Sequence, residues 1–140
     1  MIKQKGASLI EILIAVVVIS VGLLGLAGLQ TSSIKSNQSS YLRSQATLLA
    51  YDLSDRMRAS RDAAENGAFN TNSNHNDKVS WDLLLQQAMG PSAAATVDPI
   101  VGANNQFRIT ITWDDSRGNI GNQANNETFS FIVDLSDAFN

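Results

Sequence analysis

Ala7-Ser8-Leu9-Ile10-Glu11-Ile12-Leu13-Ile14-Ala15-Val16-Val17-Val18-Ile19-Ser20-Val21-Gly22-Leu23-Leu24-Gly25-Leu26-Ala27-Gly28-Leu29 holds one charge, Glu11. At about 23 residues this run is long enough to cross a hydrocarbon core as a helix. The apolar part of an ordinary secretory signal spans only ~7–15 residues before a small-residue cleavage site. This run is longer, and its carboxylate serves no purpose in such a signal. Lys3 and Lys5 precede it, and no basic cluster follows closely. The positive-inside rule therefore places the N-terminus in the cytoplasm and sends the rest outward.

The whole chain has 140 residues, enough for one modest domain. Outside the first thirty positions it is polar and rich in Asn, Ser and Asp. The formal net charge is −3, and it is more acidic still without the two leading lysines. That balance argues against a nucleic-acid binder held by phosphate contacts. There is no cysteine, so a disulfide framework and a thiolate metal site are both excluded.

Glu11 is the most informative side chain. A charge well inside a bilayer costs on the order of 2.5–3.5 kcal/mol, so it lies close enough to the interface to stay hydrated or it has a partner. No Lys or Arg lies between Ala7 and Leu29. The nearest cation that can be made is a new α-amino group, released by cutting after Gly6.

Gly6-Ala7-Ser8-Leu9-Ile10-Glu11, behind a short basic leader and opening a long apolar helix, resembles the type III signal of the type IV pilin family. The resemblance implies that residues 1–6 are a leader removed by a prepilin peptidase after Gly6. It implies that Ala7 becomes an N-methylated terminus, and that Glu11 compensates that amine in a neighbouring subunit. The family usually begins its mature chain with phenylalanine, and alanine stands here. Val18 to Gln30, Asp52-Leu53-Ser54-Asp55-Arg56-Met57-Arg58-Ala59 and Trp113-Asp114-Asp115 are similar to the minor-pilin group called PilV. A short head without a C-terminal disulfide departs from many major pilins and fits a low-copy subunit.

Beyond Leu29 the residues themselves outline a head over 30–140. Gly22, Gly25 and Gly28 read as close helix packing or as a weakened helix, and the two are compatible. Leu42, Ala46, Leu49, Leu53 and Met57 form an apolar stripe at helical spacing. They predict that the first helix continues as an amphipathic half (30–65) to about Glu65, before Asn66-Gly67. Asp52 lies four residues before Arg56, Asp55 three before Arg58 and Asp62 four after it, so Arg43, Arg56, Arg58 and Arg61 read as part of a self-neutralised helix surface. Ser80 is placed to cap a short helix, Trp81 to Met89, that ends at Gly90-Pro91 and covers a sheet with Trp81, Leu84, Leu85 and Ala88. Phe107, Ile109, Ile111 and Trp113 alternate with polar residues, as do Phe129, Phe131, Val133 and Leu135. These make a β-hairpin over about 105–135, with a possible third, edge strand near Val97 to Val101 marked by Pro99.

The chemistry of sites is sparse. His75 stands alone among asparagines and reads as a surface residue. Asp114, Asp115, Asn119 and Asn122 lack the alternating acids and closing glutamate of a calcium loop. Nothing pairs a nucleophile with a base, so no catalytic residue, cofactor or metal is expected. The architecture expected is α+β: a long N-terminal helix, half transmembrane and half amphipathic, on a small antiparallel sheet. The resemblance implies a minor pilin that primes assembly and sits at the filament tip, supporting motility and adhesion. Its partners would be other minor pilins and the major pilin, met through the N-terminal helix. It would be held in the bacterial inner membrane with a periplasmic head before reaching a surface pilus. A type II secretion pseudopilin and a membrane-tethered ligand-binding module are the alternatives.

Overall fold

The computed structural model describes residues 8–103, 105–118 and 126–136. Three helices, α1 (Leu9–Ala59), α2 (Arg61–Glu65) and α3 (Asn76–Met89), precede three strands, β1 (Ala94–Pro99), β2 (Gln106–Asp114) and β3 (Asn126–Asp134). The strands form one antiparallel sheet in the order β1-β2-β3. The fold is the α+β arrangement expected, a long apolar helix carrying a small sheet.

At ~1.5 Å per residue, the 51 residues of α1 span about 76 Å. The helix runs unbroken through Gly22, Gly25 and Gly28. A Cβ added at any of the three meets nothing within 4 Å, so no contact among the described residues requires a glycine there. In the outer half, Leu42, Ala46, Ala50, Leu53 and Met57 are buried, with Leu49 packed beside them. The helix stops earlier than the sequence predicts. Ser60 leaves helical geometry at φ −123, ψ 51, while its N–H still donates to Arg56 O. The short α2 then carries Ala64 into the core, and Phe69 follows from the loop. Asn66-Gly67 does end the helical segment. Gly67 sits at φ +86, with its N–H donating to Ala64 O and that of Ala68 to Ala63 O. That pair of bonds satisfies the last helix carbonyls and needs a residue at ease with positive φ.

α3 begins at Asn76, five residues before Trp81, with His75 as its cap residue. Ser80 is therefore inside the helix, where its hydroxyl donates to Asp77 O. Asp77 in the first turn favours the earlier start through the helix dipole. The shift also settles which face is covered. Lys78, Trp81, Leu85 and Met89 are buried, whereas Leu84 and Ala88 are exposed. Trp81 Nε1 donates to Leu49 O at 3.2 Å, so α3 docks on α1 as well as reaching β1. The Lys78 ammonium is buried only because Asp82 accepts from it through both carboxylate oxygens, at 2.6 Å each.

Phe107, Ile109, Ile111 and Trp113 of β2 all face the core, as their alternation predicts. On β3 the pattern is graded: Val133 is buried, Phe129 and Phe131 only partly so, and Leu135 is buried just beyond the strand. β1 starts three residues before Val97 and stops at Pro99, on the sheet edge as expected. On the opposite face, hydroxyl pairs Thr110–Ser130 and Thr112–Thr128 bridge the two longer strands. α1 lies lengthwise along β3 and points the same way. Arg43 bonds Glu127 at 2.8 Å, the Tyr51 and Phe131 rings meet edge-on at 5.0 Å, and Arg58 acts on Asp134. The spans agree: 43 to 58 of a helix covers roughly 22 Å and 127 to 134 of a strand roughly 23 Å.

Among the described residues, every buried hydrophobic residue lies at Leu42 or later. A chain that starts at Gln30 retains the whole core and is expected to be soluble and to melt cooperatively. Circular dichroism against temperature checks this. A gradual, non-cooperative loss of signal would mean that the core depends on the removed helix.

Candidate functional site

The exposed half of α1 is the site with the strongest physical signature. Every residue from Ser8 to Leu29 is exposed, and the large apolar side chains run from 51% accessible at Leu26 to 87% at Leu9. Soluble monomers rarely expose a contiguous apolar patch of more than a few hundred Å². This helix is long and apolar enough to cross a membrane, and none of its apolar window is covered by the rest of the chain. Such a surface fits a lipid or helical environment.

Glu11 stands in the first turn of that helix. Ser8 precedes the turn in extended geometry (φ −67, ψ 141), and its side chain makes no capping bond. The N–H groups of Glu11 and Ile12 both donate to Ser8 O, at 2.9 and 3.3 Å. The Glu11 carboxylate is exposed and has no hydrogen bond or ion pair among the described residues. The helix N-terminus supplies positive partial charge nearby, typically ~0.3–1 kcal/mol of stabilisation. Gly6 and Ala7 lie outside the described residues, as does all of 1–6. Glu11, the one expected assembly residue that the structure describes, is therefore a carboxylate with no partner among the described residues, at the end of an uncovered apolar helix.

The head offers no competing site of comparable definition. Arg56 pairs with Asp52 at 2.8 Å, Arg58 with Asp55 at 3.1 Å and Arg61 with Glu65 at 3.0 Å, so the arginines make a neutralised helix surface. Arg43 instead crosses to β3, a pairing that helical spacing does not reveal. His75 is half-buried and not a plain surface residue: its ring packs 5.7 Å from Phe69. No cluster of three or more His, Asp or Glu residues occurs among the described residues.

Asp114 and Asp115 have distinct structural tasks. Asp114 accepts from the N–H of Ser116 at 2.8 Å, and Ser116 holds its carboxyl below the ordinary carboxylate range, with help from Arg117. Ser136 does the same for Asp134, joined by Gln106 and Arg58. Asp115 is buried beside Gly118, where the start of the β2–β3 connection presses on α1. A Cβ on Gly118 would stand 2.6 Å from Asp115 Oδ1 and 2.9 Å from Ser39 Cβ. Asn119 and Asn122 lie outside the described residues.

No curated protein and no solved structure matches this chain. Residues 1–27 match a family model, the prokaryotic N-terminal methylation motif. The matched stretch contains Glu11 and most of the uncovered helix. It supports a type IV pilin-like, prepilin-type protein.

Proposed function

We propose that this chain is a minor pilin, similar to the PilV group, that primes filament assembly in the inner membrane and takes its place at or near the pilus tip. The carrying observation is the apolar half of α1, which bears the methylation motif and has no cover in its own chain. Before assembly that surface lies in lipid, with the N-terminus cytoplasmic and the head periplasmic. In the filament it lies against the helices of other minor pilins and the major pilin. Gly6 is the cleavage residue, Ala7 the methylated terminus and Glu11 the carboxylate that compensates a neighbour's amine. The chain is a structural subunit and not an enzyme, and its role in surface motility and adhesion follows from the filament it helps to build. A type II secretion pseudopilin has the same kind of N-terminus, and the two readings differ in which apparatus the subunit joins.

Mass spectrometry of protein isolated from its native membranes tests the processing. We expect a chain that begins at Ala7 and carries one added methyl group. Gly6→Val should leave the leader attached and hold the protein in the membrane. An intact leader on wild-type subunits recovered from filaments would overturn the proposal.

A further inference from the structure

The outer half of α1 has a second apolar face, turned away from its own head. In a seven-residue repeat abcdefg that starts at Leu13, the buried Leu42, Ala46, Ala50, Leu53 and Met57 fall at b, f, c, f and c. Ile34, Tyr41 and Leu48 all fall at a, and they are 69%, 56% and 62% accessible. The line continues towards the N-terminus through Ala27, Ser20 and Leu13. Beside it run Val16, Leu23, Gln30, Asn37 and Ser44 at d, all exposed. Ser44 Oγ and Thr47 Oγ1 donate to carbonyls of their own helix, Ser40 O at 3.0 Å and Arg43 O at 2.9 Å, so neither hydroxyl needs an outside acceptor. Between 9 and 51 the charged residues are Glu11, Lys35 and Arg43, at f, b and c. No charge therefore lies on a or d, or on the flanking e and g, before Asp52. This is the pattern of a helix-pairing seam.

We infer that this face pairs with the same face of a second copy of the chain, as a parallel, level helix pair that runs from the membrane up to the heads. This rests on the membrane anchoring proposed above. Lipid does not cover the upper seam: the apolar run ends at Leu29, and Ile34 to Leu48 stand about 7 to 29 Å beyond it along the helix. Two copies held by the same apolar run stand parallel and at equal depth, so each seam residue meets its own counterpart. Ile34, Tyr41 and Leu48 then meet apolar side chains. The Gln30 and Asn37 amides each carry a donor and an acceptor, so each can bond its counterpart. Like charges, the ordinary penalty on self-pairing, meet nowhere along this seam. Pairing with a different helix is selected by opposite charges at e and g, and this helix has none there before Asp52. The heads pack on b, c and f, so they hang on the outer sides of the pair and do not collide. Glu11, Gly22 and Gly25 stand at f, c and f, also outside the pair. The contact proposed for Glu11 with another subunit therefore uses a separate face of the same helix.

The chain has no cysteine, so single thiols can be placed cleanly. Full-length Ile34→Cys and Leu48→Cys on the seam, and Ser36→Cys at position c as control, are oxidised with copper phenanthroline in native membranes. All three positions are exposed, so the head should fold in each variant. We expect Ile34→Cys and Leu48→Cys to shift to a disulfide-linked species of twice the chain's mass, with mass spectrometry finding this chain alone in it. Ser36→Cys should stay at its own mass. Adding Tyr41→Lys to Ile34→Cys sets like charges face to face and should abolish the shift, whereas adding Ser36→Lys should leave it. Seam yields no greater than that of Ser36→Cys, a product that contains another protein, or a shift that survives Tyr41→Lys would overturn the pairing. The minor-pilin reading outlives that result as long as the leader is cut after Gly6 and prepilin-type subunits co-isolate with the chain. A chain missing from the membrane fraction would sink both.

Discussion

Trp81→Ala is expected to remove about 3–5 kcal/mol from the stability of the head, the range for truncating a fully buried aromatic. Trp81 is wholly inaccessible and joins α3 to α1. Its indole ring fills the space between α3 and α1, its Nε1 donates to Leu49 O, and the Lys78 ammonium lies 5.6 Å from the ring centre. Alanine leaves a cavity and exposes Lys78 and Asp82 to a changed setting. A domain of this size has a total stability of ~5–15 kcal/mol, so the loss is a large fraction of the whole. With Tm moving roughly 4–8 °C per kcal/mol in small domains, the melt should fall by tens of degrees or lose its cooperativity. Trp81→Phe should cost less, since most of the ring volume stays. Leu84→Ala should shift the melt little, about 0.5 kcal/mol or less, because Leu84 faces solvent. Thermal melts of the three variants check the assignment. Equal losses for Trp81→Ala and Leu84→Ala would mean that α3 sits with another face inward.

That contrast shows where the sequence is legible and where it is not. The apolar run, the alternation of Phe107 to Trp113 and the stripe from Leu42 to Met57 are periodic and carry their partners' direction with them, so α1 and the sheet can be read directly. α3 is harder. Leu83, Leu84 and Leu85 are consecutive, and any helix phase buries one of them. The deciding residue is Lys78, a charged side chain that periodicity assigns to solvent and that Asp82 allows to be buried. The break at Ser60 is equally hidden, since a serine between Ala59 and Arg61 is no strong stop signal. The contacts that fix α1 along β3, Arg43 with Glu127 and Tyr51 with Phe131, join residues about eighty positions apart and depend on a register that one strand alone does not specify. At the N-terminus the situation reverses. Glu11 stands out in the sequence as the one charge in its run, and the structure adds that its own chain gives it no described partner.

Glu11→Gln is expected to impair assembly while leaving the subunit itself intact. The substitution is nearly isosteric, and about 31 residues of helix, or ~46 Å, separate position 11 from Leu42, the nearest buried hydrophobic residue. The melt of the head should therefore not move. Cleavage should be unaffected as well, since it depends mainly on Gly6. The proposed partner of Glu11 is the amine at Ala7 of a neighbouring subunit, since no described residue of its own chain pairs with it. Removing one member of a buried ion pair costs about 3–5 kcal/mol, offset in part because glutamine has no charge to desolvate. A net loss of even ~1.4 kcal/mol weakens the contact about tenfold. Co-purification with other prepilin-type subunits from native membranes should fall by at least that factor, and surface filaments should become scarce. Glu11→Asp, which keeps the charge on a shorter arm, should recover part of both. Equal recovery and equal filament numbers for wild type and Glu11→Gln would make Glu11 a hydrated carboxylate at the membrane interface and leave apolar packing of α1 as the sole basis of assembly.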